Sequence, residues 1–478
     1  MRPLHNDRWA FWGLLALLCW LPLPLGSNRT FAVALLVFWS QILLWGTVFA
    51  WRHDLAGLSA RLALFRWPVG LLGAFILVPW LQWLPLPADW LAVLSPEALA
   101  VSQGVVDTLR VSLDPGQTQL YAALSFAYWS VFVAALVLVR DSRRLDTLAL
   151  VLVGSGVFQA LLGAALFSTG ATYRLFFSEL THDRVKGAFV YHNHMAGYME
   201  ICLSVGIGLM LARLGGSGKQ RPSTGWKEKL QAAIDFSLSP KMRLRLMLVI
   251  MVIALVLTRS RMGNTGFFAA LLIVGLLTIV LSRRTAPKTV ALIASLVIID
   301  VVVVGSWIGV EKVVDRVQET ALTSEEGGRE ESVELRVDAA RHAYALVEDF
   351  PWLGTGAGSF YTAYLRYRTP REGYFDHAHN DYAEIAADFG GPATLLLGGF
   401  VLSAVVSAVL VLARRRSDLP RGLAFGGLMA VVAFLIHSTV DFNLQIPANA
   451  LTLLVVFAML WSVASLPRGN VRSNSPVD

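Results

Sequence analysis

Twelve stretches of predominantly apolar residues, centred near residues 17, 41, 77, 130, 157, 204, 251, 272, 299, 402, 432 and 456, dominate this chain. A helix of about 20 apolar residues is what spans the hydrocarbon core of a bilayer. With 55% hydrophobic and 15% charged residues over 478 positions, and a mean hydropathy of +0.59, the chain is too apolar for a soluble protein of its size. The pattern predicts an all-α, polytopic membrane protein of about twelve transmembrane helices. The opening stretch, MRPLHNDRWAFWGLLALLCWLPLPLG, reads as the first of these helices rather than as a cleaved leader, because many further spans follow it.

The net charge of +7 does not point to nucleic acid once its placement is examined. With the N-terminus inside, 25 of the 40 Lys and Arg residues fall in short inner segments, as the positive-inside rule requires. Cys19 and Cys202 each sit in an apolar run, which excludes a disulfide framework and a thiolate metal cage. The expected organisation is a bundle of about nine spans over 1–309 with an inner basic loop at 213–245, an outer segment at 310–390, three spans over 391–466, and an inner tail at 467–478. A smaller outer segment covers about 87–118. Within the basic loop, WKEKLQAAIDFSLS reads as an amphipathic helix on the bilayer surface. There is no visible internal repeat of the kind common in secondary transporters.

The unusual polar residues gather at the outer face: YHNH (191–194, with His192 and His194), TRSRMGN (258–264, with Arg259 and Arg261), DHAHNDYAE (376–384) and HSTVDFN (437–443, with Asp441). A charge beside a span is costly and marks a polar cavity or partner. Arg259 divides between that role and snorkelling to headgroups, whereas Arg261, in a tight turn of small residues, is expected to point into the bundle. A helix is predicted through EESVELRVDAARHAYALVED, with Val333, Ala340, Tyr344 and Val347 near one face and Arg336 and Arg341 on the outside. Arginine's planar fork suits phosphate. The following GTGAGSF lacks the Lys-Ser or Lys-Thr of a phosphate loop and reads as a turn.

In DHAHNDYAE, Asp381 and Glu384 have the spacing of a capping box, which sets His379 just before a helix start and next to His377 and Asn380. The helix dipole disfavours imidazolium there and suits a general base. Asp376 or Asp381 could instead orient the ring or raise its proton affinity. Three readings stay open for this cluster: a zinc site, for which HAHND lacks the final histidine at Tyr382; histidines that satisfy helix ends; and a base beside arginines that hold an anion.

HNDYAEIAADFG, preceded by PWLGTGAGSF and by a helix bearing Arg336, resembles the signature region of the O-antigen ligase and polymerase superfamily of bacterial inner-membrane glycosyltransferases. SRMG (260–263) and GAFVYHNHMAGYME (187–200) are similar to that family as well. The likeness covers about 185–400. The ligase pattern of His-Asn, nine residues, Gly, two residues, then Gly, Thr or Tyr is met at His379, Asn380 and Gly390, while Ala393 departs from it.

The resemblance implies a GT-C-like membrane fold whose 310–390 segment is a periplasmic catalytic loop. It implies His379 as the base and Arg261 and Arg336 as the clamp on a lipid diphosphate, with no metal, nucleotide or other cofactor. His377, Asn380, Asp381, Arg259, Arg341, His192, His194 and Asp441 are candidate supporting residues. The implied donor is a glycan on undecaprenyl diphosphate among membrane lipids, and the implied acceptor lipid A core, a growing glycan or a protein hydroxyl. The rival class is a polysaccharide or lipid transporter, which predicts polar groups near mid-span and repeat symmetry.

Overall fold

Backbone amides inside a bilayer have no water to bond, so long apolar runs must fold as helices. The computed structural model describes residues 6–175, 178–180, 184–214, 239–281, 333–368 and 374–467, with the side chains of 175, 178–180, 214 and 333–336 outside that description. In chain order the helices are α1 (Arg8–Trp20), α2 (Thr30–Ala50), α3 (Leu55–Ala63), α4 (Arg66–Trp83), α5 (Ala88–Leu94), α6 (Pro96–Ser102), α7 (Pro115–Leu138) and α8 (Ser142–Thr169). After a hairpin that pairs Tyr173–Leu175 with Ser178–Leu180 come α9 (His192–Leu214), α10 (Pro240–Leu257) and α11 (Arg261–Leu281). The chain ends with α12 (Val333–Asp349), α13 (Phe360–Ala363), α14 (Asp381–Phe389), α15 (Gly391–Arg414), α16 (Asp418–His437) and α17 (Pro447–Ser465).

Among the described residues, eight helices are long and apolar enough to cross a membrane, and α3 with α4, bent by 84°, adds a ninth if the pair is one span. The chain is therefore a multi-pass, all-α membrane protein. Two further expected spans are helical but fall short of that standard. Helix α1 has only 13 residues, and α10 carries Lys241, Arg243 and Arg245 within its 18. The expected span near 299 and the amphipathic stretch at 226–239 lie almost wholly outside the described residues.

Helices α9 and α16 form the buried centre. Their backbones touch because small residues face each other: a Cβ placed on Gly208 would lie 2.3 Å from the Gly422 carbonyl oxygen. Phe132, Phe400 and Trp461 pack ring against ring between α7, α15 and α17. Outward-facing Leu276, Val280 and Leu395 are exposed, as side chains that meet lipid rather than water. At one end of the bundle Asp7, fully buried, receives Arg140 and Arg144 at 2.6 Å each and ties α1 to the α7–α8 turn.

A second, smaller core caps the opposite end. Leu91, Ala98 and Val111 pack there with Ala339, Ala343, Leu346, Phe350, Phe360 and Phe375. The buried face of α12 thus runs through Ala339, Ala343 and Leu346 rather than through Tyr344, which is exposed. Small alanines allow the close approach that the tyrosine expected on this face would block.

Candidate functional site

The capped end is built on a glycine turn whose amides are already committed. Gly354, Gly356 and Gly358 all have positive φ. Thr355 N and Gly356 N donate to the carbonyls of Ala387 and Asp388, Ala357 N donates to Gln82 Oε1, and Gly358 N donates to Asp388 Oδ2 at 2.8 Å. This loop cradles a carboxylate of its own chain, which is why GTGAGSF is a turn and not a nucleotide cradle. Burial pushes the Asp388 carboxyl well above the usual carboxylate range and Glu384 adds to it, while the amides of Gly358, Phe360 and Ser359 pull the other way.

The N-cap of α14 is Asn380, whose side chain accepts from Ala383 N at 3.1 Å. This corrects the expected capping box, because Asp381 lies one residue inside the helix and does other work. Its carboxylate accepts from Ser438 Oγ at 2.7 Å and from Leu444 N at 3.2 Å, so it pins the 438–446 loop against α14. Burial holds this carboxyl well above the ordinary range despite those two bonds. Glu384 turns back as well, but to His377 Nδ1 and Ala378 N, both at 2.7 Å.

That pinned loop carries Phe442, and three histidine rings surround it. His377 stacks on it at 4.4 Å between centroids, His379 meets it edge-on at 5.0 Å and His194 at 4.8 Å. His379 has φ +50°, a left-handed backbone uncommon for a residue with a side chain. Such outliers persist where the surrounding structure over-determines them, often at functional sites. Burial lowers the proton affinity of His377, but the Glu384 carboxylate overrides it and the net pKa is raised.

The fold gathers most of the supporting residues around this ring cluster. His194 Nε2 is 3.9 Å from Asp441, Asn193 donates its amide to the same carboxylate, and His192 Nε2 lies 3.1 Å from Arg184. The arginines are placed differently. Arg259, at φ +57°, and Arg261, the first residue of α11, are both exposed, so Arg261 does not turn into the bundle as its small-residue turn suggested. A helix start leaves the long side chain free to follow solvent. Arg341 is largely exposed and pairs with Asp338 at 3.3 Å, and the Arg336 side chain lies outside the described residues.

Among the described residues no group of three or more His, Cys, Asp or Glu is disposed to hold a metal ion. Sequence reasoning missed Gln82, Asn193, Glu200 and Phe442. Glu200 had a usable signal, a lone acid well inside an apolar span.

Residues 246–398 match the family model described as O-antigen ligase. The match supports the O-antigen ligase superfamily for this segment. The match supports a membrane glycosyltransferase of the ligase or polymerase type in general terms. No curated protein matches the chain. The superfamily segment contains Arg259, Arg261, α12, the glycine turn and the His377–His379 pair, whereas His192, His194, Asp441 and Phe442 come from outside it. The ring cluster is therefore assembled from superfamily and flanking sequence together.

Proposed function

We propose that this protein transfers a glycan from undecaprenyl diphosphate to an acceptor hydroxyl at the periplasmic face of the bacterial inner membrane, with inversion and without a metal. The reading is supported by one observation above the rest: the superfamily segment places His379, in a left-handed backbone, in a ring cluster at one end of a membrane bundle. The full topology would have about twelve spans, cytoplasmic basic loops and a periplasmic loop at 310–390. Lipid A core or a growing glycan is the favoured acceptor, with a protein hydroxyl as the alternative.

In this scheme the acceptor oxygen attacks the anomeric carbon while His379 takes its proton. The bond from the anomeric carbon to the diphosphate oxygen breaks, and the electron pair leaves with the lipid diphosphate. Arg261 and Arg336 would stabilise that leaving group, since fixed guanidinium charges aimed at developing negative charge lower the barrier. The glycosyl diphosphate holds the driving force, so no nucleotide is required.

A second assignment makes His377 the base, because Glu384 orients it as a third group orients the base of a catalytic triad. The experiment uses full-length protein in proteoliposomes with an undecaprenyl-diphosphate oligosaccharide and candidate acceptors, and follows lipid diphosphate release with and without EDTA. Acceptor-dependent release that survives EDTA and is lost in His379→Ala supports the scheme. Loss in His377→Ala with activity kept in His379→Ala moves the base to His377, and release abolished by EDTA refutes the metal-free mechanism.

A further inference from the structure

Glu200 and His437 are fully buried and face each other, with His437 Nδ1 3.0 Å from Glu200 Oε1. Glu200 sits well inside the membrane-spanning part of α9, and His437 is the last residue of α16. An ionisable pair in that position is costly, and equally well-packed apolar residues would serve the fold at least as well. The pair does not stand alone. His437 Nε2 is 3.8 Å from Asp441, which lies 3.9 Å from His194 Nε2 and takes the Phe442 amide on its own carboxylate at 2.8 Å. Phe442 is the ring on which His377 and His379 rest. A line of acids and imidazoles thus runs from inside the bundle to the outer cluster, and its last covalent step, from Asp441 to Phe442, ends at the aromatic ring against the proposed base.

We propose that Glu200 and His437 are positioning residues that act through Asp441 and Phe442 to set the pose and proton affinity of His379. The proposal rests on the reading of His379 as the base. The charged and titratable groups that bear on this line are His194, Asp376, Asp381, Asp441, His377 and Glu384. Removing the Glu200 carboxylate takes away the partner that holds His437 beside Asp441, and the change reaches the His379 imidazole through Asp441 and Phe442.

The test compares the parent protein with Glu200→Gln and with the paired apolar variant Glu200→Met/His437→Phe, all full length in proteoliposomes. Carbethoxylation of His379 by diethylpyrocarbonate is followed against pH by peptide mass spectrometry, which requires no turnover. The expected result for Glu200→Gln is a midpoint displaced by at least half a pH unit. For both variants, kcat for lipid diphosphate release falls at least tenfold at a donor KM within twofold of the parent. An unchanged carbethoxylation profile together with a kcat within twofold of the parent overturns the proposal. Where the paired variant fails to fold, the Glu200→Gln profile alone decides. If the parent shows no acceptor-dependent release, the glycosyltransferase reading fails, while a shifted carbethoxylation midpoint still reports the coupling of Glu200 to His379.

Discussion

Glu384 holds His377 at 2.7 Å through Nδ1 and fixes the Ala378 amide with its other oxygen, so one carboxylate on α14 secures both the ring and the backbone just ahead of His379. His377 has a raised pKa in the folded protein, against a usual value of 6.5. A raised folded pKa means the pair's stabilisation is full below about 6.5 and is lost as the pH climbs through the higher, folded value. The melting temperature of the parent in detergent should therefore fall as the pH rises through that window. His377→Gln and Glu384→Gln should flatten the dependence, and an unaltered slope in both would show that the pair is not the source.

Gln82 joins the membrane bundle to the glycine turn. Its amide nitrogen donates to Leu353 O at 2.5 Å and Asp388 O at 2.7 Å, and its oxygen accepts from Ala357 N at 3.0 Å. Gln82→Leu orphans Leu353 O and Ala357 N, while Asp388 O keeps the Gly356 amide, and each buried orphan costs about 1–3 kcal/mol. A loss of roughly 3 kcal/mol or more is expected on that basis, with new protease cleavage within 351–359 at temperatures where the parent is resistant. A melting temperature equal to the parent's would show that water replaces the glutamine.

The two scales of this protein differ in how far the sequence reveals them. Spans such as Pro115–Leu138 and Gly391–Arg414 are visible because hydropathy is a sum over about 20 residues and tolerates any single substitution. His379, Asn380 and Asp381 are visible because they sit together in the chain. Phe442 and Gln82 are not, since each acts on the 350–390 segment from a distant part of the sequence and neither side chain carries a marked chemical signature. The capping box failed for a related reason. Glu384 had a choice of partners within reach, and His377, seven residues upstream, outcompeted the Asp381 backbone once Asp381 was drawn to Ser438 and Leu444.

His379 can be separated from its backbone conformation. Asparagine tolerates the left-handed region better than other residues with side chains, so His379→Asn keeps the φ +50° turn while removing the imidazole. Under the proposed scheme release of lipid diphosphate should drop on the order of 10²–10⁴-fold, the usual contribution of a general base, at a melting temperature near the parent's. Activity within threefold of the parent would remove His379 from the base role.

Asp388 offers a comparison between charge and hydrogen bonding. Its carboxyl is held well above the usual range by burial, so replacing it with a neutral group forfeits less charge stabilisation than at an exposed carboxylate. Asp388→Asn retains an oxygen that can accept the Gly358 amide, and should cost no more than about 1 kcal/mol, the scale of one net hydrogen bond. Asp388→Ala orphans that amide and opens a gap in the cap, for roughly 2–4 kcal/mol in all. Equal melting temperatures for the two variants would contradict this ordering.

Gly356 tests how closely the glycine turn seats on the bundle. Its φ of +114° suits only glycine, and a Cβ there would lie 2.6 Å from Ser112 Oγ and 2.7 Å from Thr118 Oγ1. Those two hydroxyls are hydrogen-bonded to each other at 2.7 Å, and Thr118 also donates to Ala357 O, so neither can retreat without breaking a buried contact. Backbone strain contributes about 1–3 kcal/mol and overpacking a similar amount. Gly356→Ala should therefore lower the melting temperature sharply and reduce lipid diphosphate release with it, since the displaced turn is bonded to Asp388 of α14, the helix that follows the histidines. Gly398 is the control. It lies in α15 with open space around its Cβ position, and alanine there gains about 1 kcal/mol or less of helix propensity. Gly398→Ala should leave both the melting temperature and the activity at or slightly above the parent's, and a similar loss in the two variants would mean that the turn is not specially seated.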